Sequence, residues 1–381
     1  VKRVCVLLDG DFPPDPRVEK ETESLVRAGF DVTVVCKRKS REVAAADEWK
    51  GAKVERMLVK RWSKRRSVDK LLDYFFFPFM ASAKFLKLHG RKKFDYILAA
   101  NPPDNLLLVA NAIGWIERVR VIDDFHDPFP ELVAGHARNP FFFAVLEALE
   151  SLCVKTASRV ITVSRICADL LEKRGASNVT IVHNRPDESF KPRNNRLKRR
   201  FGKFVLFAGS LVEQNGVLDF LGALKLASAE MRKHGVKAVI AGSGPLEGRV
   251  VEFIEREKVS DFVSFIGRID RASVADYIGA SFAVAVPFKR TPITVIGTPN
   301  KLFEGLRLQK FVVAADLPGI RAAAGDAVIY FNAGDVHSLS NAILVAAGVR
   351  KGRTPSAALL RKAAAASAWS SDEKAFLKCF D

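Results

Sequence analysis

Short apolar runs of four to six residues recur along the N-terminal half: Arg3–Leu8, Val32–Cys36, Tyr96–Ala100, Arg120–Asp123, Val160–Val163 and Thr180–His183. They are short for helices and rich in β-branched or apolar residues, which predicts buried strands. Longer periodic segments lie between them. Residues 16–28 set Val18, Leu25 and Val26 among charges, and Gly29 follows as a helix stop. Strands alternating with helices predict a parallel sheet with right-handed crossovers.

The pattern then begins again. Phe204–Ala208 reads as a strand opening onto Gly209–Ser210, a helix is predicted at about 217–234, and Ala238–Ala241 reads as a strand ending in Gly242–Ser243–Gly244–Pro245. Val263–Ile266, Phe282–Val286, Phe311–Ala314 and Val328–Phe331 continue the series. Between the halves, Arg185–Lys203 is rich in Pro, Asn and Arg and without periodicity, as a linker is. The expected fold class is therefore α/β, with two doubly wound domains: 1–185, a linker at 186–203, and 204–367. Ligands in such sheets bind beyond the carboxyl ends of the strands, and the cleft between two such domains is the expected site. The stretch 355–381 is Ala-rich and predicted helical, with Ser371 as N-cap of the last helix.

Composition changes this picture in one respect. A length of 381 residues suits two domains, and 48% hydrophobic with 27% charged residues is ordinary for a globular chain. The first residues turn polar too soon for a signal peptide, and no apolar run reaches spanning length. The scattered Cys5, Cys36, Cys153, Cys167 and Cys379 read as buried free thiols of a reducing cytoplasm. The net charge of +18, however, calls for an anionic partner. Arg56, Lys60, Arg61, Lys64, Arg65, Arg66 and Lys70 cluster just ahead of Leu71–Met80, an aromatic stretch. A basic run abutting an aromatic one reads as a surface for anionic lipid, or as a solvated helix face followed by a core helix. Nucleic acid finds no supporting motif.

Five places carry candidate chemistry. Gly209–Ser210, with Gln214–Asn215–Gly216 beyond it, is a glycine loop between strand and helix, able to offer amides to a phosphate or to serve as a tight turn. Its spacing is not that of a dinucleotide fold. Gly242–Ser243–Gly244 is a second such loop one βα unit on. In Pro299–Asn300–Lys301–Leu302–Phe303–Glu304, Asn300 is a candidate N-cap. Glu304 can take a ribose cis-diol and Lys301 can offset phosphate charge. The same spacing also fits a surface Lys–Glu pair. Asp123–Asp124–Phe125–His126–Asp127, with Glu131 beyond, crowds a histidine with acids at a strand end, as an acid/base group or, through Asp123, Asp124 and Asp127, a metal site. Gly10 and Asp11 empty the first strand into a loop, and Arg17 in the next helical turn is a candidate anion contact.

Taken together these segments resemble the retaining GT-B glycosyltransferases of family 4. The matching residues are Asp15–Val18 with Gly29–Val34, the strand end Asp124–Glu131, Thr162–Ser164 and His183–Asn184. Pro299–Gly305 with Asp316–Arg321, and Trp369 with the closing helix, complete the match. The resemblance implies two Rossmann-like domains, with segment 368–381 crossing back to the first. It implies a nucleotide-sugar donor held by Glu304 in the Asn300–Lys301–Leu302 helix, with backbone near Arg268 at the base. Gly209, Ser210, Gly216, Gly242 and Gly244 would line the donor side. His126 would serve the reacting sugar, and Gly10, Asp11 and Arg17 the acceptor or phosphate side. Transfer would proceed with retention, with no metal and no cofactor. The family usually has a second glutamate where this chain has Ile296, and Arg and Lys where it has Ser210 and Asn215. Lys301, Lys289, Arg290, Arg268 and Arg17 are the candidates for the missing diphosphate charge. The expected function is transfer to a lipid-linked or membrane-surface glycan by a cytoplasmic, peripheral protein. The alternative is a weak or inactive homologue acting as a binding subunit.

Overall fold

The apolar runs form strands, and among the described residues every strand pairing but one is parallel. The computed structural model describes residues 1–58, 66–134, 139–193 and 196–381, without the side chains of 66–75. They fall into two units, Val1–His183 with Asp372–Asp381, and Asn184–Ser371.

In the first unit, strands β1 (Arg3–Asp11), β2 (Asp31–Lys37), β3 (Ala46–Trp49), β4 (Ala52–Met57), β5 (Tyr96–Ala100), β6 (Arg120–Phe125), β7 (Arg159–Thr162) and β8 (Val179–Ile181) form one sheet. Their order is β3-β4-β2-β1-β5-β6-β7-β8. Helices α1 (Pro16–Arg27), α2 (Arg66–Arg91), α3 (Asp104–Glu117), α4 (Phe129–Val133), α5 (Pro140–Thr156) and α6 (Arg165–Lys173) connect them. Central strands such as β5 are buried end to end, as a sheet covered on both faces requires. The exception in direction is β3, antiparallel to β4 through a two-residue turn. There Lys50 and Gly51 take φ of 47° and 87°, the left-handed pair a tight hairpin uses. This edge hairpin escapes the apolar pattern because β3 is exposed and charged.

The second unit orders β9 (Lys203–Ala208), β10 (Val236–Ala241), β11 (Val263–Phe265), β12 (Ala283–Val286), β13 (Phe311–Ala315) and β14 (Ile329–Phe331) as β11-β10-β9-β12-β13-β14. The expected linker is partly structured: it contains helix α7 (Arg196–Phe201), whose Phe201 packs edge-on against Phe204. The helix expected over 217–234 is two, α8 (Val217–Leu226) and α9 (Ser228–Lys233). Then come α10 (Glu247–Arg256), α11 (Arg271–Ala280), α12 (Pro292–Ile296), α13 (Asn300–Arg307), α14 (Pro318–Ala324), α15 (Val336–Ala346) and α16 (Ala357–Ala366). The core joins Phe207, Phe220, Ile240, Leu302 and Val312 from both sides of the sheet's centre.

Helix α17 (Ser370–Leu377) takes the chain back into the first unit. The Tyr96 hydroxyl and the Lys2 ammonium both donate to the Phe380 carbonyl, at 2.7 and 3.0 Å. Phe30, Tyr96 and Phe376 pack edge-on around the Phe380 ring. Asp372 accepts from the His183 amide and Glu373 from the Ser24 hydroxyl. Ser371 is not the expected cap: the helix starts one residue earlier, and its hydroxyl donates to the Ala365 carbonyl.

The basic–aromatic stretch divides. Lys60, Arg61, Lys64 and Arg65 lie outside the described residues. Arg56 is buried, donating to the Phe12 carbonyl and pairing with Asp47, so it is not a lipid contact. Phe77 is core, while Phe76 and Phe79 are exposed. Among the described residues no helix is long and apolar enough to cross a membrane. All five cysteines are buried and free.

Candidate functional site

Strand order reverses between β9 and β12, and the place where it reverses opens a cavity of about 600 Å³. Gly209, Ser210 and Asn215 line it from the end of β9, and Gly242 from the end of β10. Arg268 contributes from beyond β11, and Asn300, Lys301 and Glu304 from the first turns of α13. The glycines are there for space. A β-carbon on Gly242 would stand 1.9 Å from the Gly209 carbonyl oxygen, and one on Gly209 would stand 2.6 Å from the Lys301 ammonium. Three of the loop glycines do not offer their own amides to an anion. Gly209 donates to the Ala241 carbonyl, Gly242 to the Gly267 carbonyl, and Gly216 to the Glu213 carbonyl. Asn215 closes the first loop by donating to the Ser210 carbonyl at 2.8 Å.

Lys301 brings a buried positive charge to the cavity, which Arg268 also lines. Its side chain is buried, and among the described residues its ammonium has no hydrogen-bond partner. The nitrogen lies 4.9 Å from the Phe207 ring centre and 5.3 Å from that of Phe288. Burial lowers its pKa to about 8, against the opposing pull of Glu304. Glu304 is half-buried one turn further along α13. The solvated Lys–Glu surface pair is therefore not what forms, because the lysine points under the Gly209 loop.

Several expected donor residues sit otherwise. Asn300 is the first helical residue and Pro299 takes the cap position, without a side-chain cap bond. The Leu302 side chain is core and its amide is taken by the Pro299 carbonyl. Gly216 and Gly244 do not line the cavity; they pack on the backbone of Pro287 and Leu211. Lys289 is tied to Glu213 and Asp219.

The first unit holds the other cluster, at the end of β6. The His126 ring nitrogen Nε2 is 2.6 Å from Asp124 Oδ2, and the His126 amide donates to Asn101 Oδ1. Arg17 binds the fully buried Asp124 with Nε at 2.9 Å and Nη2 at 2.5 Å, and donates through Nη1 to the Val182 carbonyl. This corrects Arg17 as an anion contact: it is buried and its guanidinium is consumed. Burial works to raise the Asp124 pKa, but Arg17 and His126 outweigh it and hold the carboxyl below the ordinary range. Glu21 also lies 3.0 Å from Arg17 Nε, yet burial and the Asp124 charge push its pKa well up. One guanidinium thus serves two buried carboxyls, favouring the charged form at Asp124 and the neutral form at Glu21. Glu131 is anchored by Arg174, at 2.7 Å. Asp123 is buried and accepts from Asn111. Gly10 has room for a side chain, and Asp11 is exposed at the end of β1. Among the described residues no group of three or more His, Cys, Asp or Glu is placed to hold a metal ion.

Residues 14–185 match the family described as "Glycosyl transferase 4-like domain", and residues 202–347 match "Glycosyl transferases group 1". The chain belongs to the group 1, family 4 glycosyltransferases. No curated protein matches it in sequence. The glycosyltransferase has the GT-B fold, and solved structures share it at low identity. Sucrose-phosphate synthase of Thermosynechococcus elongatus superposes with a TM-score of 0.78 at 15% identity, covering 100% of this chain and 98% of that one. Anabaena HepE in complex with UDP gives 0.73 at 16%, covering 100% and 99%. The catalytic domain of starch synthase IV from Arabidopsis thaliana, bound to ADP and acarbose, gives 0.72 at 14%, covering 99% of each.

Two features of this glycosyltransferase were missed in the sequence. The Asp124–Arg17 pair joins residues 107 apart, and only the nearness of an arginine to one strand end and an aspartate to another hints at it. The depth of Lys301 depends on Phe207 and Phe288, from two other segments.

Proposed function

We propose that this glycosyltransferase moves a sugar, with retention, from a nucleotide-sugar donor to a lipid-linked or membrane-surface glycan. The observation that carries the donor reading is Lys301: a buried ammonium with no hydrogen-bond partner among the described residues, in a cavity at the switch point, with a carboxylate one turn away. A desolvated cation without a hydrogen-bond partner is costly and is compensated when an anion arrives. The diphosphate of a nucleotide sugar is such an anion, and its leaving is the step that most needs charge stabilisation. Glu304 is then placed for the ribose cis-diol, and backbone near Arg268 for the base. The UDP and ADP complexes of HepE and starch synthase IV support a nucleotide donor.

The acceptor chemistry falls to the first unit, where Asp124 fixes the His126 ring and Arg17 fixes Asp124. No metal or cofactor enters this reading. The large positive net charge favours an acceptor at an anionic surface.

A panel of UDP-, GDP- and ADP-sugars tested by calorimetry and for slow hydrolysis is expected to single out one donor. Binding of none of them would refute the donor site and favour a scaffold role. With the donor identified, Glu304→Gln is expected to weaken its binding by roughly 1–3 kcal/mol, the range for losing a charged hydrogen-bond partner. Unchanged affinity and turnover would remove Glu304 from the ribose.

A further inference from the structure

Helix α5 buries Cys153 and Val154 in the core yet turns an apolar stripe outward. Its buried side chains include Glu150, which Arg174 engages, while Phe141, Val145, Leu149 and Leu152 are exposed. The spacing i, i+4, i+8, i+11 places those four on one face. The other acid of the helix, Glu147, is also held by Arg174, at 3.2 Å. The outward face of α5 therefore carries apolar side chains and no unpaired acid.

Exposed aromatic side chains also stand on the neighbouring helices. Helix α3 packs against both α5 and α2. Near the end of α3, Trp115 is 85% exposed, on α2 Phe79 is 64% exposed, and Phe141 is 76% exposed. A soluble monomer rarely leaves so many large apolar groups in water on one layer. The basic groups on this layer stand open: Lys87, Arg118 and Lys155 are exposed, while Glu117 of α3 is paired with Lys93.

We infer that the outer face of α2, α3 and α5 lies on an anionic lipid bilayer, with Trp115, Phe79 and Phe141 entering the headgroup–acyl boundary. Charge decides the occupant. A second copy would set +18 against +18, whereas an anionic bilayer is drawn to the basic groups and accepts the aromatic tips. The topology adds a reason. Strands β6 and β7 run parallel, so α5, which returns the chain to the start of β7, begins at the sheet edge where His126 stands. The bilayer contact thus reaches the edge that carries the acceptor chemistry. This deepens the membrane-surface part of the proposed function and leaves its donor chemistry untouched.

The test is flotation of the full chain with phosphatidylcholine vesicles, with and without phosphatidylglycerol. The wild type is expected to float with the anionic vesicles. Phe141→Glu combined with Leu149→Glu, both at exposed positions, is expected to lower that partitioning by roughly tenfold or more. Its binding of whichever of the UDP-, GDP- and ADP-sugars the wild type binds should be unchanged in vesicle-free solution, which separates this surface from the donor site. Trp115 provides a second reading: acyl-chain-brominated lipids are expected to quench its fluorescence, and Trp115→Phe to abolish that quench. Equal flotation of variant and wild type, no flotation of either, or no quench of Trp115 would overturn the proposal. So would a vesicle-free dimer of the wild type that the double variant dissolves, because the face would then belong to a second copy.

Discussion

Replacing Lys301 with Met is expected to cut turnover by about two to three orders of magnitude, the effect of losing one preorganised charge stabiliser. The ligand-free protein should at the same time melt at a higher temperature. Both follow from one fact: the ammonium is buried without a hydrogen-bond partner among the described residues. Methionine has similar length and no charge to desolvate, so the apo fold gains where the reaction loses. pH adds opposite signs. The folded pKa is about 8 and the ordinary value 10.5, so between them the unfolded chain holds more protons. Ligand-free stability should therefore rise as pH climbs from about 8 towards 10, while donor affinity falls as the lysine loses its charge. Steady-state kinetics and thermal melts across that range check both. A lysine that merely packs would give a variant with lower Tm and intact turnover.

Arg17→Met is expected to cost about 3–5 kcal/mol of stability, the penalty for stranding one member of a buried ion pair. Asp124 would lose a bidentate partner and the Val182 carbonyl a donor. Denaturant unfolding at neutral pH measures this. The Asp124 pKa is depressed in the fold, so its contribution is present above the ordinary carboxylate value and fades as pH falls through the folded one. The gap between wild type and variant should therefore narrow in acid. A gap under about 1 kcal/mol, the scale of a surface pair, would mean that the guanidinium is solvated.

The strands were legible because a parallel sheet buries both faces of each strand, leaving apolar runs such as Val4–Leu8 and Ala238–Ala241 with little to disguise them. The position of α13 was legible too, since Pro299–Glu304 is a local pattern. What such patterns lack is depth. A lysine in a first helical turn reads as solvated, and only Phe207, Phe288 and an open Gly209 bury it. Arg17 reads as a surface cation for the same reason, until Asp124 arrives from another strand. Periodicity shows that a face exists but not which way it turns: α5 exposes Phe141 and Leu152, while Glu150 is buried against Arg174 at the end of α6.

The last ten residues complete the first unit, although the whole of Asn184–Ser371 lies between them and the rest of it. During synthesis the second unit can therefore finish while the first still lacks Phe376 and Phe380 against Phe30 and Tyr96. A chaperone or ribosome-stalling experiment should find residues 1–183 protease-sensitive until residues 372–381 emerge. The first unit, though begun first, would be the last to set.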